Sequence, residues 1–239
     1  MSLLMIERTL ASKVTSLAQK FQVITLTGPR QSVKTTLVKA TFPDLPYVSL
    51  EEPDIRQIAL TDPRGFLSNY PNGVILDEIQ NTPELFSYIQ RIVDENRQIQ
   101  FILTGSSNFL LMEKISQTLA GRTAVLHLLP FSLQELEPLT DSYENMIFKG
   151  QYPRIYDRTI PPPDFYPSYI QTYVDRDVRM IKNIGDINAF IQFTQLCAGR
   201  IGQPLNNASL ANDAGISPNT AKSWLSILES SYILYRLQP

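Results

Sequence analysis

The residues with the clearest chemical potential are Gly28-Pro29-Arg30-Gln31-Ser32-Val33-Lys34-Thr35-Thr36. They fit the pattern G-x-x-x-x-G-K-[ST] at every defined position but one, since Val33 stands where the second glycine belongs. In that pattern backbone N–H groups wrap phosphate oxygens, the lysine reaches the outer oxygens, and the hydroxyl helps to hold magnesium. Lys34 and Thr35 fill the lysine and hydroxyl roles, and a helix opening there adds positive partial charge. The glycine of the pattern permits close backbone approach or an unusual dihedral, and a β-branched side chain resists both.

A second element strengthens the first. Val74-Ile75-Leu76-Asp77-Glu78 is an apolar run ending in two acids. At the C-terminal end of a strand, where α/β sheets bind ligands, Asp77 would hold magnesium and Glu78 would orient an attacking water. Taken alone, the same two acids would serve as a solvated helix start.

These residues need elements to position them. Ile6, Leu10, Val14 and Leu17 recur at helical spacing, which predicts a helix over 6–20. β-rich runs predict strands over 21–27, 47–50, 73–77, 100–104 and 123–129. Between them, 34–40 and 83–95 suit helices, the latter capped by Thr82, and 51–70 holds helical turns punctuated by Pro53 and Pro63. Strands alternating with helices imply a mainly parallel sheet covered on both faces, an α/β domain over 1–138. Pro161-Pro162-Pro163 marks a connector within 139–182, and 183–239 reads as a smaller helical domain.

Composition narrows the function classes. Lys+Arg of 21 against Asp+Glu of 23 gives a net charge of −2, which excludes a strongly basic nucleic-acid coat but not a local patch. One cysteine excludes an intramolecular disulfide framework, and with one histidine it leaves no expectation of a structural zinc site. No apolar run approaches the roughly 18 residues of a membrane span, and no secretory signal opens the chain. A cytoplasmic protein without a membrane partner is expected.

Thr27-Gly-Pro-Arg-Gln-Ser-x-Lys-Thr-Thr-Leu, Leu76-Asp-Glu-Ile-Gln, Leu103-Thr-Gly-Ser-Ser and Leu119-Ala-Gly-Arg-Thr occur in that order. Leu129-Pro-Phe-Ser-Leu-Gln-Glu-Leu and Tyr173-Val-Asp-Arg-Asp-Val-Arg follow. The set resembles prokaryotic AAA-type P-loop ATPases whose ATPase domain precedes a C-terminal domain of unknown function. The resemblance implies a P-loop NTPase sheet with its fourth strand inserted between the two motif strands, and ATP and magnesium as ligands. It makes Gly28 to Thr36 the nucleotide loop, Thr35 and Asp77 the magnesium residues, and Glu78 the catalytic acid. Ser106 becomes a polar sensor near the γ-phosphate. Arg122 becomes the arginine that stabilises transferred charge, within or between subunits. A helix cap for Ser106-Ser107-Asn108 and a surface ion pair for Arg122 are the competing roles.

Ser209 to Leu225 reads as helix, turn at Gly215, and helix, with Ser217 as cap and Pro218 in the first turn. Tyr232-Ile-Leu-Tyr235 then reads as a first wing strand, completing a winged-helix-like signature. The second helix offers only Lys222 as a cation, beside Asn219, Thr220 and Ser223, so DNA is not the favoured partner. A helical module packed beside the core is the competing reading. Cys197, His127 and Trp224 are expected as packed residues. Similar family members continue further, some into a nuclease-like region, and no nuclease function is expected of a chain ending at Pro239.

Three functions fit these observations. The first is a magnesium-dependent ATPase whose nucleotide state moves the helical domain. The second is a degenerate nucleotide-binding or nucleotide-free interaction module, with Val33 ending hydrolysis. The third is a DNA-binding regulator. A protein partner or self-association suits the first two.

Overall fold

The computed structural model describes residues 6–106, 115, 117–137, 142–173 and 184–237. Two compact units divide the chain, residues 1–165 and 166–239.

The first unit is built on five parallel strands in the order β2-β3-β4-β1-β5. They are β1 (Val23–Thr27), β2 (Tyr47–Ser49), β3 (Gly73–Asp77), β4 (Gln100–Gly105) and β5 (Thr123–His127). β4 lies between β1 and β3, the insertion that the resemblance implies. Side chains alternate across the strands and so divide the core into two faces. Val23, Val74, Leu76, Phe101 and Leu103 pack on one face with Leu85, Phe86, Ile89 and Val93 of α5 (Leu85–Glu95). The helices α3 (Pro53–Thr61) and α4 (Pro63–Ser68) complete that layer through Ala59, Phe66 and Leu67. Ile24, Leu26, Ile75 and Ile102 pack on the other face, with Val14 of α1 (Leu10–Ala18) and Leu37 and Val38 of α2 (Lys34–Thr41). Strands β1, β3 and most of β4 are buried on both faces, which explains their unbroken apolar runs.

Several boundaries differ from expectation. Helix α1 starts at Leu10 rather than residue 6, because Arg8 is drawn into the interior. Thr82 does not cap α5: a 3-10 turn, Ile79–Asn81, precedes it and the Leu85 amide donates to the Thr82 carbonyl. After β5 come α6 (Leu133–Leu136), α7 (Tyr143–Lys149), α8 (Pro153–Asp157) and α9 (Pro162–Tyr173). Residues up to 165, expected as connector, belong to the sheet unit. The Phe131 amide donates to the Gln151 carbonyl, and the Phe131–Tyr156 and Tyr152–Phe165 rings meet. The proline run opens α9 instead of interrupting the chain, since a first turn tolerates missing N–H groups.

The second unit contains α10 (Ile187–Ala198), α11 (Asn207–Asp213) and α12 (Pro218–Ser230). Trp224 of α12 stands edge-on to Phe190 and Phe193 of α10, at centroid distances of 5.3 and 5.4 Å. Gly215 takes a left-handed turn (φ 66°) between α11 and α12, and Ser217 caps α12 by accepting from the Thr220 amide. The expected wing strand is absent from the described residues: Tyr232 is left-handed (φ 60°) and 233–237 are irregular. The amides of Ile233 and Leu234 both donate to the Leu228 carbonyl, so they close the helix rather than a ladder. Cys197 is half-buried, and burial pushes its thiol pKa up. Among the described residues no helix is long and apolar enough to cross a membrane. The Val174–Arg179 stretch, singled out above, lies outside the described residues.

Candidate functional site

The site forms where β1, β3 and β4 end. The chain leaves β1 at Thr27, turns at Gly28, and enters α2 at Lys34. Gly28 has φ 153°, and a Cβ there would collide with the Leu128 carbonyl, so only glycine fits.

Val33 precedes α2 with φ 60° and ψ 35°. This is the left-handed conformation that glycine adopts freely and a β-branched residue adopts at a cost. The loop therefore keeps the backbone of its pattern although the side chain has changed. The expected obstruction by valine appears instead as a local conformational cost. Gln31 is also left-handed, at φ 61°.

Lys34 is buried, and its ammonium donates to the Gly28 and Pro29 carbonyls at 2.9 Å each. Thr35 Oγ1 donates to Asp77 Oδ2 at 2.9 Å, joining the loop to the end of β3. Asp77 is buried and also accepts from Tyr47 Oη at 2.8 Å and from Thr104 Oγ1. Burial and the bond to Asp77 push the Tyr47 hydroxyl pKa well up, so it remains a donor. Glu78 is left-handed (φ 55°), and its Oε2 accepts from Ser106 Oγ at 3.1 Å and from Gln80 Nε2, partners that Asp77 does not share.

The structure thus brings together Gly28, Pro29, Arg30, Gln31, Ser32, Val33, Lys34, Thr35 and Thr36 on one loop and helix start, with Asp77, Glu78 and Ser106 at adjacent strand ends. Ser107 and Asn108 lie outside the described residues, so a cap there is not described. Arg122 is not brought to this site. It precedes β5, beside Gln22 at the start of β1, at the opposite end of the strands from the loop. There it pairs with Asp94, Nε to Oδ1 at 2.6 Å and Nη2 to Oδ2 at 3.0 Å. His127, expected in the core, is exposed because it ends an edge strand, and its Nδ1 lies 2.7 Å from Thr27 Oγ1.

Four contributors escaped the sequence reasoning: Tyr47, Thr104, Arg8 and Glu135. Arg8 is buried and donates from Nη1 to the Ser32 carbonyl at 3.0 Å, and from Nη2 to the Leu129 and Pro130 carbonyls at 2.7 and 3.2 Å. Its Nε donates to Glu135 Oε1 at 3.2 Å. Burial lowers the Arg8 pKa, and Glu135 opposes that shift. Glu135 closes a capping box with Ser132 and also accepts from the Thr9 amide at 2.7 Å. Burial alone would raise the Glu135 pKa, but the Ser132 and Thr9 N–H groups and Arg8 outweigh it and lower it.

The donor set fits a phosphate group with a hard cation. Ser32 Oγ is buried inside the loop and has no hydrogen-bond partner among the described residues. Thr35 and Asp77 offer the hydroxyl and carboxylate oxygens that magnesium accepts alongside water.

Known proteins agree with this architecture. Residues 20–137 match the family described as AAA domain (AAA_14), and residues 140–239 match a domain of unknown function, DUF8612. Uncharacterized proteins of Mycobacterium tuberculosis and Mycobacterium bovis are each 25% identical over 243 residues, covering 100% of this chain. The chain spans 55% of those relatives' length. A Walker-type ATPase of Pyrococcus abyssi shares the fold at a TM-score of 0.62 and 16% identity, over 95% of this chain and 90% of that one. The chain thus has the P-loop NTPase fold, with an AAA domain over residues 20–137 followed by a C-terminal domain of unknown function over residues 140–239.

Proposed function

We propose that this chain binds ATP with magnesium at the loop of residues 28–36 and hydrolyses it. The observation that carries the proposal is the bond between Thr35 and Asp77, which joins the loop to the β3 acid. Loop N–H groups and Lys34 would bind the phosphates, Lys34 exchanging the Gly28 and Pro29 carbonyls for phosphate oxygens. Thr35 and Asp77 would hold magnesium, which supplies charge neutralisation when bound. Glu78, held by Ser106, would orient the attacking water, its partners Ser106 and Gln80 being distinct from those of Asp77. In this reading Arg122 serves a neighbouring subunit, since its own loop lies at the other end of the strands. Nucleotide state would then reposition the helical unit.

The left-handed Val33 favours this function over a degenerate module, because the phosphate-wrapping backbone survives the substitution. For DNA binding, α12 offers only an exposed Lys222 as a cation, so that reading is not preferred.

Calorimetry with magnesium-ATP, paired with phosphate release, tests the proposal. Wild type should bind and turn over. Lys34→Ala should weaken binding by about 100-fold, twice the tenfold step of about 1.4 kcal/mol. Glu78→Gln should bind as wild type does and turn over at least about 100-fold more slowly. Binding that is indifferent to Lys34→Ala would exclude this site.

A further inference from the structure

We propose that Arg8 is a positioning residue of the phosphate loop, holding the Ser32–Val33 peptide in the left-handed turn that valine would otherwise leave. The proposal rests on the nucleotide-binding function of the loop.

In a trans peptide the C=O and the following N–H point in opposite directions. Arg8 Nη1 donates to the Ser32 carbonyl at 3.0 Å, which fixes the plane of the Ser32–Val33 peptide and turns the Val33 N–H away from Arg8. Val33 is the residue whose backbone is left-handed, where a β-branched side chain prefers other conformations. One buried cation thus grips the carbonyl next to the most strained valine torsion in the loop.

The grip is itself anchored. Nη2 is occupied by the Leu129 and Pro130 carbonyls, Nε by Glu135, and the guanidinium lies over the Phe131 ring at 5.0 Å. Glu135 is tied in turn to Thr9 and Ser132. The guanidinium meets these groups together because it is a rigid fork with five donors, whereas a lysine ammonium is a single point with three. Arg8→Lys therefore keeps a cation for Glu135 and gives up the simultaneous hold on Ser32.

A loop that occupies its binding-competent turn only part of the time loses apparent affinity by that fraction. Without Arg8, a valine at position 33 would populate the turn poorly, while a glycine would still populate it readily. The effects of Arg8→Lys and Val33→Gly should therefore be coupled, and a double-mutant cycle on the full chain reads the coupling. Arg8→Lys should raise the magnesium-ATP dissociation constant about tenfold in the wild-type background and only about twofold with Val33→Gly. Equal factors in both backgrounds would overturn the proposal, since a purely structural role for Arg8 would not depend on residue 33.

A second readout needs no nucleotide. In ¹H–¹⁵N spectra of the free protein, Arg8→Lys should displace or broaden the Val33 and Lys34 amides, and should perturb the Lys34 amide much less in the Val33→Gly background. Amides that stay unmoved in Arg8→Lys overturn the proposal. A wild-type chain that binds no magnesium-ATP defeats the proposed function, and the amide spectra then decide the role of Arg8 alone. Should Arg8→Lys fail to fold, Glu135→Gln keeps the guanidinium, loosens its anchor, and should show the same dependence on residue 33 in smaller degree.

Discussion

Each end of the parallel strands carries an arginine–carboxylate pair, and the two differ in instructive ways. Arg122 and Asp94 make the better-looking contact, a two-pronged pair with one bond of 2.6 Å, yet their side chains are 34% and 47% exposed. Arg8 and Glu135 meet through a single contact of 3.2 Å with side chains only 7% and 3% exposed. Geometry alone would rank them in the wrong order. At the exposed pair, water competes for both charges, and holding two mobile side chains together offsets much of the attraction. At the buried pair, the cost of desolvation is met only because every arm of Arg8 has an acceptor and both Glu135 oxygens have donors. The buried pair also touches the phosphate loop, whereas the exposed pair joins the end of α5 to the start of β5.

The largest test of this contrast is truncation. Arg8→Ala leaves Glu135 buried without its cation and should lower unfolding free energy by about 3–5 kcal/mol. Arg122→Ala should leave the urea midpoint of the same unit unchanged within error. Comparable losses in the two variants would break the comparison.

A smaller effect should follow acidification. The folded Glu135 carboxyl titrates below its ordinary value of 4.5, so the unfolded chain binds more protons in that range. Its contribution to stability is present above pH 4.5 and is lost as the pH falls through the folded pKa. Glu135→Gln, which cannot titrate, should show a shallower loss of stability below pH 4.5 than wild type, measured by urea unfolding at stepped pH. Parallel slopes in the two proteins would show that the inner pair contributes nothing to acid sensitivity.

The smallest effect concerns Val33→Gly. Relief of the left-handed valine gains roughly 1–2 kcal/mol, and the added freedom of a glycine costs roughly 0.5–1 kcal/mol. The net should be a stability gain between zero and about 1.5 kcal/mol, with magnesium-ATP binding modestly tighter and turnover no slower. A loss of stability would mean that valine packing outweighs its backbone cost.

What the sequence made legible follows from how local each signal was. The β1, β3 and β4 runs are buried on both faces, so their continuous apolar character marked them clearly. The loop and the Asp77-Glu78 pair were readable because their chemistry depends on consecutive residues. Arg8 and Glu135 are 127 positions apart, and neither sits in a short pattern that announces a partner. Tyr47 looked only like a strand residue, and its bond to Asp77 depends on β2 pairing beside β3. The wing strand failed for a related reason: a β-rich tetrapeptide needs a neighbouring strand, and the chain there is used to end α12. Arg122 holds a different lesson. It precedes its strand while the loop follows one, so in a parallel sheet the two must lie at opposite ends of the strands.

The aromatic contact between Trp224 and the two phenylalanines of α10 also determines how the molecule can be watched. Trp224 is the chain's single tryptophan, and it lies wholly within the second unit. Emission excited on the red side of tyrosine absorption therefore comes from that unit's aromatic cluster, and its colour and intensity follow the opening of α10 from α12. The sheet unit is dark at that wavelength. Its unfolding has to be followed by another signal, such as tyrosine emission or circular dichroism. Coincidence of the two optical traces would show that the units unfold as one cooperative block. Separation would give each unit its own stability without cutting the chain.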